Sequence, residues 1–395
     1  MNIYNSIKII PILFLSLFLF GCTTTTNNSS NIINQEVQIQ PSETAKKYVS
    51  GILKSVDGGR TWNEKTYVGR DEKNNILTIG DSFVYSIKTS PLDDKILVVA
   101  TRNNGLYISY DQGENWQLLS GDIGKDIKIY SFSMASPRTF YVGYRNRVYK
   151  TVNGGIDWEN IYIDKDSDII EVYNDPEYTD NLYIFTVDGR IIKQNSSGAF
   201  VLHNFNSSNY SYGYARGVGI KDAYFYDNNA STNYILFNDN SVFLTTDYGE
   251  TYNRIEKIPS GLINNLYLYP NKPGSFLLST SSGLFKTNDN GDSWDEIPLL
   301  SVDKNISTLA ISKKNRNVIY YSMGNLLYKT IDDGYNWEVI EGPTTKIISS
   351  INISPQNNQV IFIGIDFNLL SSSTKPADTN IACDLFGMLF PIFCQ

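Results

Sequence analysis

The sequence predicts an all-β chain folded as a seven-bladed β-propeller. Three observations predict it: an eight-residue pattern that recurs six times, a recurrence interval mostly in the forties, and strand-like apolar runs between the copies.

The pattern is Ser/Thr, any, Asp/Asn, any, Gly, any, Thr/Ser/Asn/Asp, aromatic. It spans Ser55 to Trp62, Ser109 to Trp116, Thr151 to Trp158, Thr245 to Tyr252, Thr287 to Trp294 and Thr330 to Trp337, and these copies contain all five tryptophans. Its third position is Asp57, Asp111, Asn153, Asp247, Asp289 and Asp332; its glycine is Gly59, Gly113, Gly155, Gly249, Gly291 and Gly334. Successive third positions are 54, 42, 94, 42 and 43 residues apart. One interval is double. Near its middle, K-Q-N-S-S-G-A-F (Lys193 to Phe200) keeps Asn195 and the closing aromatic but lacks the central glycine, so it counts as a seventh, decayed copy.

An Asp or Asn two residues before a Gly turns the chain tightly, because its side chain bonds nearby backbone N–H groups and glycine tolerates positive φ. The closing aromatic can bury roughly 150 to 250 Å² across the hairpin onto the next strand. Between the copies lie seven apolar runs suited to innermost strands, near Phe83, Ile129, Ile169, Asp222, Ile263, Ile306 and Ile348. Five stop at a proline, which cannot continue a central ladder. Second strands such as Ile96 to Thr101 and Val318 to Ser322 follow, then third strands such as Gly105 to Ser109 and Leu326 to Thr330.

Strands and copies match in number but not in phase, since the first copy precedes the first inner strand. A closing blade shared by the two chain ends repairs this, with about 51–68 completing a blade begun by about 346–373, and it removes a free sheet edge. Gly51 to Ser55 and Asn368 to Ser372 compete for its third strand.

These motifs resemble Asp-box repeats, as in bacterial neuraminidases, sortilin-type receptors and photosystem II assembly-factor-like propellers. The resemblance covers about residues 51–375. It implies that each box is a rim hairpin between the third and fourth strands of a blade, with a structural rather than catalytic role for its acidic residues. The regular spacing, seven copies and absence of a recognisable sialidase constellation look most like the photosystem II stability/assembly factor-like family, which implies a non-catalytic scaffolding propeller that docks on protein.

Ahead of the repeats, Lys8 and the apolar stretch Ile9 to Phe20 read as a targeting segment too short to span a membrane at about 20 residues. Leu19, Phe20, Gly21 and Cys22 resemble a bacterial lipobox, which implies a lipid on Cys22 and a chain held at the cell membrane or outer membrane, facing the periplasm or exterior. The alternative is an ordinary signal peptide with an incidental cysteine. Thr23 to about Lys47 is polar and aperiodic, a flexible tether. The expected organisation is a signal peptide at 1–21, lipidated cysteine and tether at 22–48, propeller at 49–375, and an apolar tail at 376–395. That tail holds Cys383 and Cys394, an even pair in an oxidising compartment; a disulfide and two separate thiols are both open.

The formal charge of −8, without a Lys/Arg cluster, argues against nucleic acid as a partner. A single histidine, His203, and no zinc-type Cys/His spacing leave no metal site or other cofactor to expect. No nucleophile elbow or phosphate-binding Gly-rich loop occurs, and no catalytic residue is assigned. Glycoside hydrolysis is the enzymatic alternative, since two carboxylates suffice. Glu171 and Asp175 are the best channel-facing pair, with solvated or hydrogen-bonded strand-end residues as the plainer reading. Binding surfaces are expected in the long loops at about 68–82, 120–128 and 203–219. The last alternates Tyr210, Tyr212, Tyr214 and Arg216, a composition suited to protein or sugar recognition, with a plain tyrosine-rich surface loop as the preferred reading. Arg145 to Arg147 is a second, weaker candidate. The expected protein is a monomeric, membrane-anchored module for a protein or glycan partner.

Overall fold

The computed structural model describes residues 51–80, 82–121, 123–206, 219–301 and 303–366. It is all-β, with no helix among the described residues, and forms seven four-stranded antiparallel sheets arranged as a seven-bladed propeller. Blade 1 consists of Val84–Thr89, Leu97–Thr101, Gly105–Ser109 and Gln117–Leu118. Blades 2 to 6 repeat this order, opening on Ile129–Phe132, Ile169–Asn174, Ile220–Tyr226, Ile263–Leu268 and Thr308–Ile311. Six of the seven expected inner strands are therefore present, and the seventh, Ile347–Ile353, opens blade 7.

Blade 7 is built from both ends of the described chain. Ile347–Ile353 and Ile361–Asp366 supply its inner half, and Ile52–Ser55 and Asn63–Glu64 its outer half. Ile52 pairs with Gly364 and Ser55 with Ile361, so the N-terminal candidate fills the third-strand position; Asn368 to Ser372 lie outside the described residues.

The second strand of a blade is buried along its whole length, as in Leu97–Thr101 and Phe276–Thr280, because a neighbouring blade covers each of its faces. Outer strands such as Gln117–Leu118 are exposed. Seven hydrophobic clusters fill the spaces between neighbouring blades. The cluster joining Ile52 and Phe362 of blade 7 to Leu97, Val99 and Trp116 of blade 1 seals the ring. Polar contacts strengthen the same seam: the Ser349 hydroxyl donates to Val84 O at 2.7 Å and the Ile87 N–H to Ser350 Oγ at 3.0 Å.

The region expected as a long loop at about 68–82 instead forms an extra hairpin, Tyr67–Arg70 with Ile76–Thr78. Asp71 makes the turn by accepting the Lys73 and Asn75 N–H groups.

Candidate functional site

In each intact Asp-box the first residue organises the turn. The Ser55 hydroxyl donates to Asp57 Oδ1 at 2.8 Å while its oxygen accepts the Gly59 N–H at 2.8 Å. Asp57 then accepts from both ends of position seven, the Thr61 N–H at 2.9 Å and the Thr61 hydroxyl at 2.6 Å. The same arrangement joins Asp111 to Asn115, Asp247 to Thr251, Asp289 to Ser293 and Asp332 to Asn336. These carboxylates are thus engaged within their own turns. The Ser293 hydroxyl, aided by the Ser293 N–H, holds the Asp289 carboxyl down at about 2. Such acids are poor proton donors or nucleophiles near neutral pH.

Two features of the box escape its sequence pattern. Position four, which accepts any residue, has positive φ in all six copies: Gly58, Gln112, Gly154, Tyr248, Asn290 and Asp333. In five copies its N–H donates to the turn between the first and second strands of the same blade, as Gly154 does to Arg138 O at 2.9 Å, and in blade 4 Tyr248 donates to Ser231 O near the start of the second strand. Boxes and these turns therefore share one face. The second feature is packing against the preceding blade. Gly249 abuts Leu202, Gly291 abuts Ile255 and Gly334 abuts Ile297, while Trp158 Nε1 donates to Leu119 O at 3.1 Å. The box thus joins blades as well as closing its own hairpin. In the decayed copy, Asn195 pairs with Gly198 across a two-residue turn at the expected third-to-fourth strand position, and Asn195 Oδ1 accepts the Ser197 N–H.

The inner strands enclose a central channel with a cavity of about 640 Å³. It extends to the turns at Pro91, Pro270 and Pro355, on the box-bearing face. Its wall mixes polar side chains with aromatic ones such as Tyr85, Tyr130, Tyr173, Tyr224, Phe225 and Tyr267, with Tyr173 and Phe225 stacked at 4.0 Å.

Glu171 and Asp222 line this channel from adjacent blades 3 and 4. Each follows a register shift in its inner strand and accepts the N–H of the next residue, Val172 at 2.9 Å and Ala223 at 2.8 Å. Burial pushes the Glu171 carboxyl up to about 7, with Lys88 opposing the rise and Asp222 adding to it. Burial raises Asp222 as well.

The expected partner of Glu171 was Asp175, and here the structure differs. Asp175 is fully buried and accepts the Glu177 and Tyr178 N–H groups at 2.9 and 3.0 Å, because the chain leaves the strand at Pro176 and the carboxylate folds back into the turn. Asp222 takes its place in the channel. No signal within one blade could have paired residues from two.

His203 is buried beside Phe205 and Tyr252, with its imidazole pKa lowered by burial. Among the described residues no group of three or more His, Cys, Asp or Glu is placed to hold a metal. Arg145 and Asn146 form a tight turn in which Asn146 Nδ2 donates to Asp164 O at 2.6 Å. Cys22, Cys383, Cys394, Tyr210, Tyr212, Tyr214 and Arg216 lie outside the described residues.

A BNR/Asp-box repeat family model matches residues 107–118, the segment around Asp111, Gly113 and Trp116. Among curated proteins, the xyloglucanase Xgh74A of Acetivibrio thermocellus is 29% identical over 139 residues, covering 29% of this chain and 16% of its own length. The chain thus spans about a sixth of that relative. Among solved structures, YCF48 from Cyanidioschyzon merolae aligns with a TM-score of 0.60 at 14% identity, covering 73% of this chain and 94% of its own. A structure of YCF48 bound to D1 peptide gives 0.55 at 16%, covering 72% and 94%. The GH74 xyloglucanase from Xanthomonas campestris gives 0.58 at 16%, covering 78% of this chain and 52% of its own. At these identities the likeness is one of fold. The chain carries BNR/Asp-box repeats on a seven-bladed β-propeller whose solved neighbours include YCF48 and GH74 xyloglucanases.

Proposed function

We propose that the chain is a lipid-anchored, extracytoplasmic propeller that binds a protein partner through its box-bearing face and performs no catalysis. The observation that carries this reading is the exposed apolar surface of that face. Ile331 and Tyr335 of blade 6 are 68% and 81% exposed, Val56 of blade 7 is 56% exposed, and Ile156 of blade 2 is 77% exposed. Leu92 of blade 1 lies between them in the series. Four consecutive blades thus present exposed apolar side chains around the face onto which the channel opens. The YCF48 structure with D1 peptide supports a protein ligand for a propeller of this fold. The lipobox-like Leu19 to Cys22 supports the anchor.

The test is crosslinking of the intact protein in its membranes, followed by reconstitution with each purified candidate partner. Saturable binding to one of them supports the reading; none binding with a Kd below about 10 μM, roughly −7 kcal/mol, overturns it. For the anchor, Cys22→Ala is expected to move the protein from the membrane to the soluble fraction, and unchanged fractionation would exclude it.

A second reading, glycoside hydrolysis, is favoured by one observation. Glu171 is a channel carboxyl that burial raises to about 7, and Asp222 is a second carboxyl in the same channel. Reducing-sugar release from xyloglucan that Glu171→Gln and Asp222→Asn both abolish would establish it.

A further inference from the structure

The extra hairpin ahead of blade 1 leaves apolar side chains uncovered. Tyr67–Arg70 and Ile76–Thr78 form the one two-stranded sheet among the described residues, and a lone pair of strands is marginal unless something packs on it. Part of it is held. Val68 and Ile79 join the cluster between blades 7 and 1, and the Trp116 N–H donates to Tyr67 O at 3.2 Å, which sets the hairpin beside the outer strand Gln117–Leu118. The remainder is open. Tyr67, Ile76, Leu77 and Leu118, on three neighbouring strands, are between 43% and 57% exposed. Ile76–Thr78 pairs with Tyr67–Arg70 on one edge and, among the described residues, with no strand on the other.

The last described residue lies next to this hairpin. The Ile365 N–H donates to Gly51 O at 3.0 Å and the Gly51 N–H to Gly80 O at 3.0 Å, so Asp366 sits close to the hairpin base at Ile79 and Gly80. Two segments depart here. The one before Gly51 is polar from Thr23 to about Lys47, whereas the one after Asp366 runs to A-C-D-L-F-G-M-L-F-P-I-F-C-Q (Ala382 to Gln395), whose one charged side chain is Asp384. The eighteen residues from Phe367 to Asp384 reach about 60 Å when extended and about 23 Å at random-coil dimensions, against about 13 Å for a four-residue strand. A segment tethered at that range meets the hairpin at roughly millimolar effective concentration.

We propose that the apolar segment Leu385 to Phe393 docks on this hairpin of its own chain, over Tyr67, Ile76, Leu77 and Leu118. Apolar surface on both sides leaves water together, and the hairpin gains the cover that two strands alone lack. The tail follows Ile361–Asp366 and the hairpin follows Asn63–Glu64, both strands of blade 7. Docking therefore adds a second clasp to the blade that closes the ring.

The experiment is photo-crosslinking of the full-length protein carrying Phe390→p-benzoylphenylalanine, mixed with isotope-labelled protein that lacks the probe, in detergent and in phosphatidylethanolamine–phosphatidylglycerol vesicles. Mass spectrometry is expected to place the crosslink on unlabelled peptides holding Tyr67 to Thr78 or Leu118. Crosslinks to labelled peptides would identify a second copy as the occupant, and crosslinks to lipid the bilayer. Either result overturns the proposal, as do crosslinks elsewhere on the propeller or none at all. Ile76→Ser with Leu77→Ser removes exposed side chains only, so the protein should still unfold cooperatively while losing most of the crosslink; a retained crosslink counts against the patch. Deleting Ala382 to Gln395 is the second arm. Hydrogen exchange at Ile76 to Thr78 should accelerate at least about tenfold, with blades 2 to 5 unaffected. Unchanged exchange at the hairpin overturns the clasp.

Discussion

Asn153 Nδ2 donates to Asp157 Oδ2 at 2.9 Å, reversing the polarity of the other five intact boxes, where the acid is at position three and the donor at position seven. The two positions are therefore one hydrogen-bonded unit with interchangeable ends. Asn153→Asp alone sets two carboxylates against each other and is expected to cost about 1 to 2 kcal/mol at pH 7. Adding Asp157→Asn should recover most of that loss. Thermal unfolding of the single and double variants measures the coupling, and additive effects would show that the positions act independently.

The boxes were readable in the sequence because their bonds are local, from Ser55 to Asp57 and from Asp57 to Thr61. Ring closure was readable too, because Ser55 to Trp62 lacked an inner strand before it and Ile348 lacked a box after it. Tyr248 shows the limit. Nothing in its identity announces a φ of 63°, which is imposed by the bond from its N–H to Ser231 O. The channel pair was half legible: Glu171 faces inward by strand alternation, whereas Asp222 reaches it only through the packing of one blade on the next.

Gly291 has φ of +93°, and a β-carbon there would lie 2.6 Å from Ile255 Cγ2 of the preceding blade. Gly291→Ala therefore combines backbone strain with a steric clash and is expected to destabilise by on the order of 2 to 4 kcal/mol. Gly198, with φ of +120° and open space around it, isolates the backbone part. Its alanine variant should lose less, and equal losses in chemical denaturation would remove the inter-blade contact from the account.

Blade 7 makes the ring depend on a strand from the start of the described chain. Leu53 is fully buried, pairs with Ile363 and packs against Tyr320 and Leu327 of blade 6. Leu53→Ala should cost about 2 to 5 kcal/mol. Because the lost contacts join opposite ends of the sequence, the variant should also expose the Ile52–Ser55 strand to protease before the rest of the fold. Cleavage that begins in blades 2 to 5 would contradict this.

Acid and neutral pH act through different groups. Asp57 and Asp289 lie at about 2 in the folded chain, against about 3.9 when unfolded, so their contribution is present above about pH 4 and fades as pH falls through 2. Glu171 runs the opposite way. Its carboxyl is raised to about 7 against about 4.3 unfolded, so the folded state holds the extra proton and stability declines as pH rises from about 4.3 to 7. Glu171→Gln should flatten that decline while leaving the loss in strong acid intact. Denaturation midpoints across the range decide it, and an unaltered slope between pH 5 and 7 would reassign the decline.

Ile331 and Tyr335 sit at positions two and six of the blade 6 box, where the turn itself makes no use of their side chains. They are 68% and 81% exposed, so replacing them removes little packing. The double variant Ile331→Ser, Tyr335→Ser should change stability by no more than about 0.5 kcal/mol. If this face docks on the partner, the same variant should weaken partner binding by about tenfold or more, since apolar and aromatic anchors dominate interface energetics. A loss of binding with an unchanged melting temperature separates recognition from folding. Unchanged binding would move the docking surface away from the blade 6 box and leave the channel mouth to be tested separately.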